Sequence, residues 1–198
     1  AGELPTFWSK WLQFGGWWKT TPELSSSELL INLDQELSFS APQSAKEGET
    51  FHLVSFATQM GDGSGANRPW LQETPDPMTT VTWNSWIEIH PKTAEQLGIH
   101  DDDIVEVKTS NSDFAVEAIV YLYPAIRPDT VAIPFGQGHT ALGRFAEGRG
   151  CNPAIVWSVD VNKAGDLALS DTTVTIKPTG KRRPLARQES KEGVYGGH

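Results

Sequence analysis

Cysteine is almost absent: Cys151 is the only one in 198 residues. That excludes an internal disulfide, and it excludes a cysteine-held iron–sulfur cluster or zinc knuckle within this span. Long apolar runs are missing as well. No stretch approaches the roughly 18 apolar residues of a membrane span. Positive charge is scarce, with 16 Lys and Arg against 25 Asp and Glu and a net charge of −9. This balance argues against a nucleic-acid protein, whose footprint would be basic, but it leaves room for one locally basic pocket. The histidines at 52, 90, 100, 139 and 198 have no metal-ligand spacing. No G-x-S-x-G elbow accompanies His139, Thr140 or Ser158, and no base-and-orienter pair can be placed. The glycines come without a strand–helix–strand rhythm, so a Rossmann reading fails. The N-terminus, AGELPTFWSK, lacks a basic start, an apolar core segment and an initiator Met. The expectation is a piece of a longer chain and not a secretory leader.

Against these absences stand two glycine-rich loops, each following an apolar run. The first is QMGDGSGANRPWLQE, residues 59–73, after FHLVSFAT. The second is GQGHTALGRFAEGRGCNP, residues 136–153, after VAIPF. Glycine permits positive φ and close approach of a ligand to the backbone. Exposed amides beside a guanidinium then suit a phosphate or a heterocycle edge. The first loop reads equally well as a plain surface loop ordered by Trp70 and Leu71. His139 reads as a hydrogen-bonding loop residue rather than a catalyst, and Cys151 as buried or inert. The span is expected to be a binding or scaffold module, not a self-contained catalyst.

The remaining pattern is short strands. Residues 51–58, 86–89, 104–109, 114–121, 130–134 and 173–176 are β-rich, with 104–121 forming a hairpin. Phe114, Val116, Ala118 and Val120 are expected on one face. Pro91 to Leu97 reads as a short helix closed by Gly98, with Ile99 folding back on it. Phe7, Trp11, Phe14 and Trp18 form a helical stripe that Gly15-Gly16 would end. Such an aromatic patch is costly in water and points to packing on the parent protein or a partner. Residues 24–39 read as extended. Asp101-Asp102-Asp103 lacks the spacing of a calcium loop and reads as a solvated turn. The sum favours a mainly β, compact barrel. Residues 1–50 are expected to belong with the parent chain, 51–178 to form the barrel, and 179–198 to be a basic linker or tail.

The ordered signature I-x-I-x-P-x-x-A-x-x-L-G-I-x-D-x-D-x-V-x-V, then P-x-I-R-P-D-x-V, then G-x-G-H, resembles the molybdopterin-dinucleotide-binding C-terminal domain of the dimethyl-sulfoxide-reductase superfamily. It covers roughly residues 51–157. The resemblance implies a double-psi β-barrel of the aspartate-decarboxylase-like kind and molybdopterin guanine dinucleotide as cofactor. Gln59, Asn67, Trp70 and Gln72 would line one side of that site, with Trp70 alternatively in the core. Gly136, Gly138, His139, Arg144, Gly150 and Asn152 would line the other. No metal ligand and no iron–sulfur cluster is implied within the span. DGSGANRPWLQETPDPMTTVTWNSWIEIHP together with GQGHTALGRFAEGRGCNP is similar to one branch, the iron–sulfur and molybdopterin-like large subunit of bacterial alternative complex III. That branch implies quinol-linked electron transfer in a respiratory membrane complex, commonly on the periplasmic face. Its partners would be iron–sulfur, cytochrome and integral-membrane subunits and the rest of the parent chain. It also implies a site that keeps the fold and has lost the cofactor, and Ser64, where relatives often carry Arg, points the same way. The wider match implies a working cofactor domain of a polysulfide- or thiosulfate-reductase type.

Overall fold

The computed structural model describes residues 3–16, 45–46, 48–109, 114–157 and 172–188. The chain divides into two compact units, Ala1–Leu37 and Ser38–His198. In the first, α1 (Leu4–Phe14) forms as expected, with Pro5 in the first turn and Gly15 at φ 71° closing it. The Phe7 and Trp11 rings meet edge to face at 5.6 Å. Trp18 and the expected extended segment 24–39 lie outside the described residues.

The second unit contains β1 (Phe51–Ala57), α2 (Pro69–Glu73), β2 (Ile87–Ile89), α3 (Pro91–Leu97), β3 (Asp103–Thr109), β4 (Ala115–Leu122), β5 (Thr130–Phe135) and β6 (Thr173–Arg182). The strands close into a barrel in the order β1-β5-β2-β4-β3-β6. β1 pairs with β5, and β2 with β4, in parallel; the other contacts are antiparallel. Shifting every strand by three positions maps this pairing onto itself: β1–β5 becomes β4–β2, and β1–β6 becomes β4–β3. Two interlocked psi-type halves result, so the barrel is the double-psi barrel the signature implied.

Ile87, Ile89, Val105, Val107, Val120, Val131 and Ile133 are fully buried in the barrel interior. Branched side chains suit this pleated, enclosed surface. At α3 the Ile99 amide donates to the Ala94 carbonyl at 2.8 Å behind the left-handed Gly98, as expected of a helix closed by glycine.

The structure differs from the sequence reading at three places outside the loops. Phe114 is exposed and precedes β4, whereas Val116, Ala118 and Val120 do share the face turned to the barrel interior, and Ile119 is buried on the opposite face against Val81, Trp86 and Leu185. The acidic triplet is not a solvated turn. Asp101 accepts from the Leu122 amide at 3.0 Å and pairs with Arg187 at 3.1 Å, and Asp102 accepts from the Leu185 amide at 3.1 Å. Its carboxylates are fixed because they satisfy donors from two neighbouring segments. Finally, β6 continues to Arg182, and residues beyond it stay on the barrel. Thr82 donates to Ala186 at 2.9 Å and Gln188 to Thr80 at 3.0 Å, while Leu185 is buried with Val81, Trp86 and Ile119. The absence of an apolar period hid this because a bridging strap needs only one buried side chain.

Candidate functional site

β1 and β5 run parallel in register, with Phe56 opposite Pro134 and Ala57 opposite Phe135. Both glycine-rich loops therefore leave the barrel side by side at the same end. The sequence placed them on two sides of one site; the register puts them in direct contact.

The contact is a packed seam. Gln72 and Gln137, both buried, exchange side-chain hydrogen bonds of 3.2 and 2.8 Å, and Gln72 also donates to the Ala66 carbonyl at 2.7 Å. Met60 and Ala66 from the first loop bury against Ala146 from the second. Gly136, at φ 101°, lies where a Cβ would stand 2.9 Å from the Cβ of Met60. His139 donates from Nε2 to the Gly136 carbonyl at 3.2 Å. The second loop also closes on itself, with Gly138 donating to Arg149 at 2.7 Å and Gly148 to His139 at 3.1 Å. Gly138 (φ 88°) abuts the Cys151 and Asn152 backbone, and Gly150 abuts Ser85. Ser85 Oγ accepts from the Cys151 amide at 2.7 Å and donates to its sulfur at 3.3 Å. Burial pushes the Cys151 thiol up to about 11, so the reading of an inert cysteine holds. The cavity beneath the seam, between Gln59, Gln72, Trp83 and Gln137, is only about 10 Å³. That is room for about one water.

Outside the seam lies a ledge of a different character. The Asn67 carbonyl oxygen accepts from the Phe145 amide at 3.0 Å, tying the rims of the loops together. The Phe145 ring stands 6.3 Å from that of Trp83. The Arg144 guanidinium covers Phe145 at 4.5 Å, and that of Arg149 covers Trp83 at 5.0 Å. The result is a row of cation, aromatic, aromatic and cation. Trp83 adopts φ 58°, unusual for a bulky residue, while its amide donates to Gln72 at 3.1 Å. Arg68 is exposed in the first loop. Among the described residues, Arg68, Arg144 and Arg149 form no ion pair. Cations held by stacking rather than by carboxylates keep their charge free for an anionic ligand.

The ten residues chosen from the sequence therefore divide. Gln72, Gly136, Gly138 and Gly150 are internal to the seam. Gln59 donates to the Thr74 carbonyl at 2.7 Å, beside α2, and Asn152 accepts from the Ala154 amide at 3.1 Å to start a 3-10 turn over Pro153–Val156. Asn67 and Arg144 belong to the ledge, and His139 is half-buried between the two. Trp70 is 65% exposed, which overturns its alternative placement in the core. The site residues chosen from the sequence left out Gln137, Trp83, Phe145 and Arg149. Gln137 stood in plain view between two glycines. Trp83 had no signal, since it lies between the loop and β2 and arrives by tertiary packing.

The donor set of the ledge fits an anionic, partly aromatic ligand such as a dinucleotide. The seam does not, because its glycines are already filled by neighbouring protein atoms. Among the described residues no cluster of three or more His, Cys, Asp or Glu could hold a metal ion.

Comparison with known proteins agrees with this chemistry. Residues 63–165 match the family described as Molydopterin dinucleotide binding domain. The chain is 32% identical over 99 residues to the molybdopterin-containing subunit ArrA of the arsenate respiratory reductase of Chrysiogenes arsenatis, covering 48% of this chain and 11% of that one. It is 33% identical over 84 residues to the menaquinone reductase molybdopterin-binding-like subunit of Nitratidesulfovibrio vulgaris, covering 38% and 12%. The matched segments are thus about a tenth of the length of these relatives. Among solved structures, acetylene hydratase from Pelobacter acetylenicus aligns with a TM-score of 0.49 and 20% identity, covering 64% of this chain and 18% of that one.

Proposed function

Since the chain belongs to the molydopterin dinucleotide binding domain family, we propose that it forms one wall of a molybdopterin-dinucleotide site in the large subunit of a respiratory oxidoreductase. The observation that carries this reading is the pair Arg144 and Arg149, stacked on Phe145 and Trp83 with no carboxylate partner among the described residues. The guanidiniums bind the pyrophosphate by charge and by forked N–H donors. Asn67 holds the loop rims in register, Trp70 offers an exposed aromatic face, and the seam keeps the ledge rigid. When bound, the cofactor supplies two-electron redox chemistry at its metal. This chain contributes position and charge, and the metal ligand comes from elsewhere in the parent protein. Molybdenum and pterin analysis of the intact parent protein tests the reading: stoichiometric pterin is expected, and its absence would remove it.

A second reading is favoured by the closed seam and by Ser64. Here the barrel is a cofactor-free scaffold in a complex of the alternative complex III type, passing no electrons itself and holding other subunits together. The likeness to the menaquinone reductase molybdopterin-binding-like subunit supports a quinol-linked setting. In either reading the partners are the remaining domains of the parent chain and iron–sulfur, cytochrome and integral-membrane subunits, on the periplasmic face. The aromatic face of α1 is offered to such a partner. No described helix is long and apolar enough to cross a membrane.

A further inference from the structure

A carboxylate lies where a sheet surface ordinarily carries an apolar or a fully exposed residue. The register aligns Val54, Ala132, Glu88 and Tyr121 as one row across β1, β5, β2 and β4. Glu88 projects on the outer side, opposite to the interior Ile87 and Ile89, yet it is only 9% exposed. Beside it opens a groove of about 410 Å³, walled by Val54, Phe56, Met78, Ile126 and Ala132 with Glu88 in its lining. Ala132 creates the depth, because its side chain is the smallest in the row. Val54 and Met78 form an apolar lip, 48% and 67% exposed.

The charges in this groove are one-sided. Glu88 Oε1 accepts from Trp86 Nε1 at 3.1 Å, and its second oxygen has no hydrogen-bond partner among the described residues. Asp76, the other acid in the lining, spends Oδ1 on the Met78 and Thr79 amides and the Thr79 hydroxyl. No Lys, Arg or His is among the described residues that line the groove. Arg187 lies over the neighbouring Tyr121 and is engaged by Asp101 and Asp102. A buried carboxylate without a cation is costly, and a partner that brings one recovers that cost.

We propose that this groove is a docking site for a polypeptide segment that inserts an arginine between apolar side chains, its stem along Val54, Ala132 and Met78 and its guanidinium on Glu88. An arginine stem covers apolar surface while its head reaches a polar end. The planar guanidinium can donate to the free carboxylate oxygen. The open groove and the exposed methionine at its lip suit a protein segment better than an enclosed small molecule. The site lies on the barrel wall and is independent of whether the ledge holds a cofactor.

The test uses the chain with two peptides, acetyl-Leu-Val-Arg-Val-Leu-amide and the same peptide with citrulline in place of arginine, followed by NMR. Shifts centred on Val54, Glu88 and Ala132 are expected, with the citrulline peptide bound about tenfold more weakly or worse. Glu88→Gln should bring the two affinities together. Val54→Arg, a change at an exposed position, should weaken the arginine peptide without unfolding the barrel. Equal binding of both peptides, shifts outside the groove, or no binding of the arginine peptide would each overturn the proposal.

Discussion

The side-chain amides of Gln72 and Gln137 pair reciprocally, at 3.2 and 2.8 Å, across a separation of 65 residues. Each comes from a different glycine-rich loop, and both are buried. The pair is a polar clasp beside the apolar contact of Met60, Ala66 and Ala146. Gln72→Leu should cost about 1–3 kcal/mol, because it strands the Gln137 amide. The double change Gln72→Leu/Gln137→Leu should cost less than the sum of the single changes, with coupling of about 0.5–3 kcal/mol by denaturant unfolding. Strict additivity would mean the two amides do not act as a pair.

The glycines of the second loop should not be equivalent. Gly148 has a positive φ of 66°, but a Cβ there would meet nothing within 4 Å. Gly148→Ala therefore faces only backbone strain, roughly 1–2 kcal/mol. Gly138 adds a collision with the Cys151–Asn152 backbone to a similar strain. Gly138→Ala should be clearly the more destabilising in a thermal melt, and similar melting points would contradict the seam geometry.

Cys151 should resist alkylation in the folded protein. Its thiol is pushed up to about 11 by burial, with the hydrogen bond from Ser85 opposing only in part. At pH 8, labelling by iodoacetamide should track unfolding, measured by mass spectrometry over a denaturant series. Rapid labelling under native conditions would place the thiol outside the seam.

Glu88 should make stability depend on pH in the direction opposite to a salt-bridged acid. Burial raises its pKa, the Trp86 hydrogen bond lowers it in part, and Asp76 raises it further. The folded state thus favours the protonated form. No cost exists below the unfolded-state pKa; the cost grows as pH rises through the folded value and is complete above it. Glu88→Gln keeps an acceptor for Trp86 and removes the charge. Its melting point should exceed that of wild type at pH 7 and converge with it toward pH 4. A difference that is constant with pH would show that the charge is not the cause.

Much of the barrel was legible because its strands carry dense branched side chains, as in Val105, Val107 and Val131, and because Gly98 and Ile99 close α3 by local chemistry alone. Both loops were visible for the same reason: their glycines are a local signal. What the loops do was not legible. Whether Gly136 faces a ligand or Met60 depends on the β1–β5 register, which no local pattern encodes. Trp83 reaches Phe145, and Arg187 reaches Asp101, through contacts between segments far apart in the chain. The acidic triplet shows the limit most plainly, since three adjacent carboxylates read as solvated until the donors of Leu122, Leu185 and Arg187 are placed around them.

The functional reading turns on the proposal that an anionic dinucleotide binds the ledge of Arg144 and Arg149, outside the seam. It is tested most directly by measuring guanine nucleotide and pterin released per mole of the intact parent protein, for wild type and for Arg144→Ala/Arg149→Ala. Near-stoichiometric release is expected from wild type, with a loss of about tenfold or more in the variant, as follows from removing two charge-assisted phosphate contacts. Wild type that releases none, or a variant that releases as much as wild type, would contradict it.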